Sequence, residues 1–226
     1  HVTQPTTALG IHVPRPLRLL DARLKSVNRR LAALADRLDV GTVARSELIA
    51  GIADISSTEQ FGDALCEHLE SVSGRVLVGD ALDVQLLRSL RNRGVDVYGV
   101  ASADTQVQEM VDVRQEGLFD HLRDLKNESL AGFVLCGIPD RGSINEQLRV
   151  LRLLLLRSKP GAAVAVIVID PNTWATQLGP VATDLLHGRP MHAETWSYLL
   201  SREGASEITI TESSDSSCFL IAATLP

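Results

Sequence analysis

The chain has 226 residues, of which 45% are hydrophobic and 22% are charged, and its formal net charge is -6. This length and composition are typical of one folded domain with an appendage, and the acidic balance argues against a nucleic-acid partner. The three cysteines, Cys66, Cys136 and Cys218, show no CxxC or Cys/His spacing, so the sequence predicts buried free thiols in a reducing cytoplasm and no metal site.

A leucine-rich seam follows a polar, proline-containing leader at the start of the chain. Its apolar residues recur at alternating steps of three and four, which predicts a heptad-patterned helix. These residues are Leu17, Leu20, Leu24, Val27, Leu31, Leu34 and Leu38. Basic residues flank the seam. Three interpretations stay open: the helix packs on its own chain, pairs with a second copy or another protein as a coiled coil, or lies on an anionic membrane surface.

The rest of the chain predicts an α/β fold. Short helical patterns at residues 43–52 and 58–72 indicate capping helices, so we divide the chain into a leader and seam (1–40), a capping region (41–73) and a main domain (74–226). From residue 75 strand and helix patterns alternate, which is typical of a mostly parallel sheet covered on both faces. The predicted strands are 75–79, 95–100, 111–114, 130–136, 162–169, 207–211 and 218–223, and the predicted helices are 82–93, 105–110, 118–125, 144–157 and 193–203.

The last two predicted strands are joined by the polar segment 212–217. Because this segment is too short for a parallel crossover, the two strands should form an antiparallel hairpin. Residues 170–172, Asp-Pro-Asn, follow the fifth strand and have the composition of a turn. Trp174 and Trp196 could stack on a sugar or adenine ring, but in a chain with so few aromatic residues they are expected to be partly buried anchors.

Residues 65–211 resemble a class I S-adenosylmethionine-dependent methyltransferase, of the type found with bacterial surface-glycan and O-antigen clusters. Segment 184–196, Asp-Leu-Leu-His-Gly-Arg-Pro-Met-His-Ala-Glu-Thr-Trp, is similar to that family's Asp-Pro-Thr-His-x-Arg-Pro-x-His-Pro-Glu-Thr-Leu. The resemblance implies a Rossmann-like fold with seven strands, the last antiparallel, and S-adenosylmethionine as the cofactor. It implies no metal.

The glycine-rich cofactor turn of that family is altered in this chain. An ungapped comparison places the turn on residues 78–84, where side chains stand at every family glycine position. Gly79 is displaced by one position and Asp80 follows it. Side chains at such a turn obstruct the close approach of a ligand to the backbone.

The two acidic positions that the resemblance implies are also altered. The acid that would hold the ribose falls on Ala101, with Asp104 three residues later. The acid expected near the adenine falls on Gly117, next to Glu116. Losing a charge-assisted hydrogen bond typically costs about 1.5–3 kcal/mol, so the sequence predicts a degraded cofactor site.

A polar cluster lies in the segment that carries the resemblance. In such folds this region lies beyond the carboxyl ends of the strands, where substrates bind. His187 or His192 could serve as a general base or, with Asp184, as a metal ligand. Alternatively Pro190 and His192 only shape a helix entry, and Asp184 and Arg189 form an ordinary ion pair.

Two hypotheses for function follow. The first is a non-catalytic methyltransferase-like protein that acts as a scaffold or regulatory partner, with the leucine seam joining it to another protein or to itself. The second is an active methyltransferase that acts on a sugar or glycan hydroxyl, with His187 or His192 as the base.

Overall fold

The computed structural model of the chain describes Leu48, Gly51, Ile52 and residues 58–79, 84–101 and 112–226. Leu48, Gly51 and Ile52 are helical, and a 3-10 turn spans Thr58–Phe61. The leucine seam and the predicted helix 105–110 lie outside the described residues. Among the described helices, none is long and apolar enough to cross a membrane.

The described residues form one α/β unit in which strands and helices alternate. Its strands are β1 (Val76–Gly79), β2 (Val97–Ala101), β3 (Val113–Gln115), β4 (Leu130–Leu135), β5 (Ser158–Ile169), β6 (Ser206–Glu212) and β7 (Cys218–Thr224). Its helices are α1 (Gly62–Glu70), α2 (Val84–Asn92), α3 (Leu118–Asp124), α4 (Ile138–Arg141), α5 (Ile144–Arg157), α6 (Pro171–Gln177), α7 (Gly179–Leu185) and α8 (Ala193–Arg202).

The seven strands of the described residues form one sheet in the order β3-β2-β1-β4-β5-β7-β6. The first five strands pair in parallel, whereas β7 is antiparallel to both β5 and β6. The predicted antiparallel hairpin is therefore confirmed. The strand order reverses between β1 and β4, and in open sheets of this kind ligands bind outside the carboxyl ends of the strands at that point.

Two hydrophobic layers cover the sheet, one on each face. Helices α1, α2, α6 and α7 pack on one face, and helices α3, α5 and α8 pack on the other. Trp174 is buried in the first layer and Trp196 in the second, and both are more deeply buried than the partly buried anchors that the sequence predicts. All three cysteines are buried free thiols, and burial raises the pKa of Cys218 to about 12. These thiols are therefore part of the core.

The turn predicted at residues 170–172 is wrong, because these residues begin helix α6. The Asp170 carboxylate accepts hydrogen bonds from the backbone N–H groups of Asn172 and Thr173, at 3.0 and 2.9 Å. Pro171 occupies the first helical position, where its missing N–H costs nothing. Helices α4 and α7 were also not predicted. Asp170 is therefore a helix N-cap.

The fifth strand begins at Ser158, four residues earlier than predicted. Ser158 pairs with Leu130 of β4, and a bulge then shifts the register before Gly132 pairs with Ala163. The third strand ends at Gln115, one residue later than predicted. Pairing with the neighbouring strand thus extends β5 through the Lys-Pro-Gly segment that the sequence marks as a break.

Asp215 fixes the short loop between β6 and β7. Its carboxylate accepts hydrogen bonds from the Ser217 and Ser213 hydroxyls, both at 2.7 Å, and from the Ser217 N–H at 3.1 Å. The bonds from Ser217 and Ser213 lower the pKa of Asp215 to about 2. The loop also holds the start of α6 in place, since the Asp170 N–H donates to the Ser217 carbonyl.

Candidate functional site

The end of β1 is closed on one face by leucine side chains. A Cβ atom added to Gly79 would lie 3.2 Å from one Leu118 methyl carbon and 3.4 Å from Leu135 Cδ1. The Gly79 carbonyl accepts a hydrogen bond from the Cys136 N–H at 3.2 Å. The small size of Gly79 therefore makes room for two core leucines, and its carbonyl joins β1 to β4. Asp80 lies outside the described residues.

The end of β2 offers no acidic side chain among the described residues. Ala101 is 1% exposed, and its carbonyl accepts a hydrogen bond from the Glu116 N–H at 3.1 Å. Asp104 lies outside the described residues. Gly117 is exposed and is the N-cap residue of α3, so it supplies no polar side chain. The acid at the end of β3 is therefore Glu116, whose side chain is 40% exposed.

Glu116 ends a hydrogen-bonded chain of three titratable side chains. Its Oε1 lies 2.8 Å from His121 Nδ1, and His121 Nε2 lies 2.9 Å from the Tyr98 hydroxyl oxygen. The imidazole and the phenol are 3% and 2% exposed. Because an ionised carboxylate only accepts, the neutral imidazole must carry its proton on Nδ1, and the Tyr98 hydroxyl then donates to Nε2. Burial raises the pKa of Tyr98.

Two guanidinium groups lie over the Tyr98 ring. Arg75 Cζ is 4.5 Å and Arg114 Cζ is 5.1 Å from the ring centroid. Asp112 forms an ion pair with Arg75. The chain from Glu116 to Tyr98 thus joins α3, β2 and the end of β3, and it directs the carboxylate inward to His121.

Three described positions at the ends of β1, β2 and β3 differ from what the resemblance implies for S-adenosylmethionine, and residues 80–83 and 102–111, which belong to the same edge, lie outside the described residues. Gly79 faces leucines, Ala101 has no polar side chain, and the carboxylate of Glu116 accepts from His121.

A second polar region lies where the chain crosses the carboxyl edge of the sheet between α7 and α8. Leu186 is buried in the layer on one face, and Met191 is buried in the layer on the other. Both ends of the loop 186–192 are therefore anchored in the core. Pro190 is also buried, whereas His187, Arg189 and His192 are exposed. The loop has a fixed apolar inner side and a polar outer side.

The backbone of this loop rests on the junction between α4 and α5. A Cβ atom added to Gly188 would lie 1.8 Å from the Gly142 carbonyl oxygen and 2.4 Å from the Ser143 nitrogen. The fully buried Gln147 side chain connects the two segments, because its Nε2 donates to the carbonyls of Gly142, at 2.7 Å, and Arg189, at 3.0 Å. The Ser143–Glu146 capping box holds the start of α5 in the same place.

The four candidate catalytic residues are exposed and are not joined to one another. The structure describes Asp184 and Arg189 and gives no ion pair between them, although such a pair is the alternative that the sequence left open beside a catalytic role. His192 is the N-cap residue of α8 and makes no side-chain capping bond. Among the described residues, no group of three or more His, Cys, Asp or Glu side chains could hold a metal ion.

Two buried polar residues, Gln147 and His121, were missed by the sequence analysis. Gln147 lies three residues before Val150 and four before Leu151, on the buried face of α5. His121 lies between the buried Leu118 and Leu122 on α3. A polar residue at an apolar position of a helix is the signal that could have identified both of them, since buried polar groups require partners.

Comparison with known proteins gives a clear result for structure and none for sequence. No protein-family model matches the chain, and no curated protein sequence matches it. Among solved structures, a SAM-dependent methyltransferase from Archaeoglobus fulgidus is 14% identical with a TM-score of 0.58, over 74% of this chain and 93% of that one. The chain has the fold of class I methyltransferases.

Two further methyltransferase structures match over part of their length. Human N-acetylserotonin methyltransferase, in complex with SAM, is 14% identical with a TM-score of 0.55, over 79% of this chain and 56% of that one. An O-methyltransferase family protein from Burkholderia thailandensis is 14% identical with a TM-score of 0.55, over 76% of this chain and 57% of that one. The chain therefore spans little more than half the length of these two methyltransferases, and the likeness concerns the fold.

Proposed function

We propose that this chain is a methyltransferase-like protein that does not transfer methyl groups and acts as a scaffold or regulatory partner. The observation that carries the proposal is that apolar side chains occupy the carboxyl ends of β1 and β2, near the point where the strand order reverses. Leu118 and Leu135 pack against the Gly79 face, and the buried Ala101 stands where a ribose-binding acid is expected from the resemblance. A fold alone does not imply an activity, so the proposal rests on the residues of the site.

The energetic consequence of these changes is large for a cofactor of this size. A lost charge-assisted hydrogen bond costs about 1.5–3 kcal/mol, and each ~1.4 kcal/mol weakens binding tenfold. Steric exclusion by leucine side chains adds to this loss. Affinity for S-adenosylmethionine should therefore lie several orders of magnitude below that of an active enzyme.

Calorimetric titration with S-adenosylmethionine and S-adenosylhomocysteine tests the proposal. We expect no heat of binding and no rise in melting temperature up to about 1 mM ligand, since a ligand that binds the folded state stabilises it by mass action. Human N-acetylserotonin methyltransferase, whose structure holds SAM, serves as the positive control. Micromolar binding to this chain would contradict the proposal.

The partner in this proposal is a second copy or another protein that meets the leucine seam of residues 17–38. Replacing Leu24 and Leu31 together with glutamate should abolish association, because charges at seam positions cannot be buried between helices. Ser26→Glu with Ala33→Glu introduces the same charge off the seam and should leave association intact. Light scattering measures both variants. Association that survives in the seam variant would count against this interface.

The second candidate function is an active O-methyltransferase that acts on a sugar or glycan hydroxyl. The exposed imidazoles of His187 and His192, on a loop held at the carboxyl edge of the sheet, favour it. An exposed imidazole in such a place could take a proton from an acceptor hydroxyl. The same titration separates the two functions, because this one requires S-adenosylmethionine to bind.

A further inference from the structure

We infer that Gln147 is the positioning residue of the loop 186–192, and that it acts by fixing the backbone from which His187, Arg189 and His192 project. The inference goes beyond the proposed function. It concerns how the loop is presented, whether a protein partner or a small acceptor meets it, and it requires no cofactor.

The orientation of the Gln147 amide follows from its partners. Gly142 and Arg189 both offer carbonyl oxygens, at 2.7 and 3.0 Å from Nε2. Because a carbonyl oxygen only accepts, the NH2 end of the amide must face both of them. Each of the two amide protons then has its own acceptor, one in the α4–α5 junction and one in the loop.

The oxygen end of the Gln147 amide takes no part in these two bonds. Gln147 Oε1 is buried, and it has no hydrogen-bond partner among the residues that the structure describes. A buried unpaired acceptor costs about 1–3 kcal/mol, which offsets much of what the two donated bonds contribute. The net effect of the amide is therefore to hold one loop in one place at little gain in overall stability.

The contact between the two backbones explains why a hydrogen-bonding side chain is needed to hold the loop there. Gly188 lies against Gly142 with no room for a side chain on that face. Neither glycine can hold the other through side-chain packing. Leu186 and Met191 anchor the loop ends in opposite core layers, and Gln147 is the hydrogen-bonding group that anchors Arg189 between them.

Native-state hydrogen exchange of Gln147→Met tests the inference. Methionine has similar length and no donor, so the backbone amides of residues 187–189, 191 and 192 should exchange about tenfold faster than in wild type. Two lost bonds of about 0.5–1.5 kcal/mol each account for this factor. The melting temperature should change little, because the substitution also removes the buried Oε1. Gln147→Met should thus raise hydrogen exchange in the loop while leaving the melting temperature of the whole protein nearly unchanged.

Ser158→Ala is the matched control at the opposite end of α5. It removes one buried hydrogen bond, from the Ser158 hydroxyl to the Leu154 carbonyl at 2.8 Å, without touching the loop. It should lower the melting temperature and leave exchange in residues 187–192 within about twofold of wild type. A purely structural role for Gln147 would make the two variants alike, and that result would overturn the inference.

Gln147→Glu adds a pH readout. An ionised carboxylate cannot donate to the two carbonyls, whereas a protonated one can donate to one of them. Loop exchange relative to wild type at the same pH should therefore be faster at about pH 8 than at about pH 5, as a buried carboxyl loses its proton in that interval. If the ratio of loop exchange rates between the variant and wild type does not change with pH, the inferred role of Gln147 is contradicted.

The wild-type protein gives a direct measurement should the variants fail to fold. The two Nε2 protons of Gln147 should exchange slowly with solvent and should show through-bond couplings or close contacts to Gly142 and Arg189 by NMR. Rapidly exchanging side-chain protons would overturn the inference without any substitution. None of these readouts depends on binding of S-adenosylmethionine, so failure of the proposed function leaves them interpretable.

Discussion

Replacing Gly188 with alanine is expected to lower the free energy of unfolding by about 3 kcal/mol and to displace the candidate loop. The added Cβ would lie 1.8 Å from the Gly142 carbonyl oxygen and 2.4 Å from the Ser143 nitrogen. Both are backbone atoms that cannot rotate aside, so one of the two segments must move. Forcing a carbon into a filled site typically costs 1–3 kcal/mol, roughly, and more where backbone is displaced. Urea unfolding measures the loss.

Gly62→Ala is the control for this prediction. A Cβ on Gly62 would meet nothing closer than Ser89 Oγ at 3.5 Å, which is ordinary contact, and Gly62 lies at the start of helix α1. Alanine is favoured over glycine in helices by about 1 kcal/mol, so this variant should be neutral or slightly more stable. If Gly188→Ala were as stable as Gly62→Ala, the two backbones would not be in contact in solution.

The sequence predicted the two central strands β4 and β5 well because they contain apolar runs. Residues 130–136 and 162–169 fall on β4 and β5, which are buried on both faces, and such strands need no tertiary information to be recognised. Helix α5 was also placed at its observed bounds, because its apolar positions repeat at helical spacing and Ser143 caps it. Local pattern and tertiary packing agree in these elements.

The short helices could not be predicted because local pattern and packing disagree there. Helices α6 and α7 are each seven residues long and begin with or near proline, and they carry asparagine, threonine and glycine, which favour turns. They form because Asp170 caps one of them and because Trp174 and Ala182 pack in the core. The Asp170 cap is local, but the core contacts of Trp174 and Ala182 involve residues distant in sequence.

The side-chain networks of the site were beyond prediction for a similar reason. The chain from Tyr98 to Glu116 joins three elements, and Gln147 contacts Arg189 across 42 positions of sequence. No spacing rule connects such positions. The resemblance identified the segment 184–196 as polar and functional, but it gave no indication of what holds that segment in place.

Replacing His121 with leucine is the second large effect expected, a loss of about 2–4 kcal/mol in the free energy of unfolding. The imidazole makes one bond to a charged carboxylate and one to a buried phenol. Bonds to charged groups contribute about 1.5–3 kcal/mol, and the orphaned Tyr98 hydroxyl adds a penalty of about 1–3 kcal/mol. Burial of the leucine side chain offsets part of this loss.

A double-mutant cycle with Tyr98→Phe separates the network from simple packing. Removing the hydroxyl alone should cost about 1–2 kcal/mol, since it leaves His121 Nε2 unpaired in a buried site. In the presence of His121→Leu the same change should be close to neutral, because neither partner then remains unsatisfied. Losses that simply add would mean that the two side chains do not interact. Arg123→Leu, on the exposed face of the same helix, should change stability by less than about 0.5 kcal/mol.

The consequence for function lies at Glu116. In wild type, His121 holds this carboxylate against α3, the helix whose Leu118 side chain packs on Gly79. If the closed strand ends depend on this chain of bonds, His121→Leu should release Glu116 and loosen α3 together. Hydrogen exchange in residues 118–124 should then rise more than in α5, by about tenfold for each ~1.4 kcal/mol lost locally. An equal rise in both helices would show that the network stabilises the whole domain and does not specifically close this edge of the sheet.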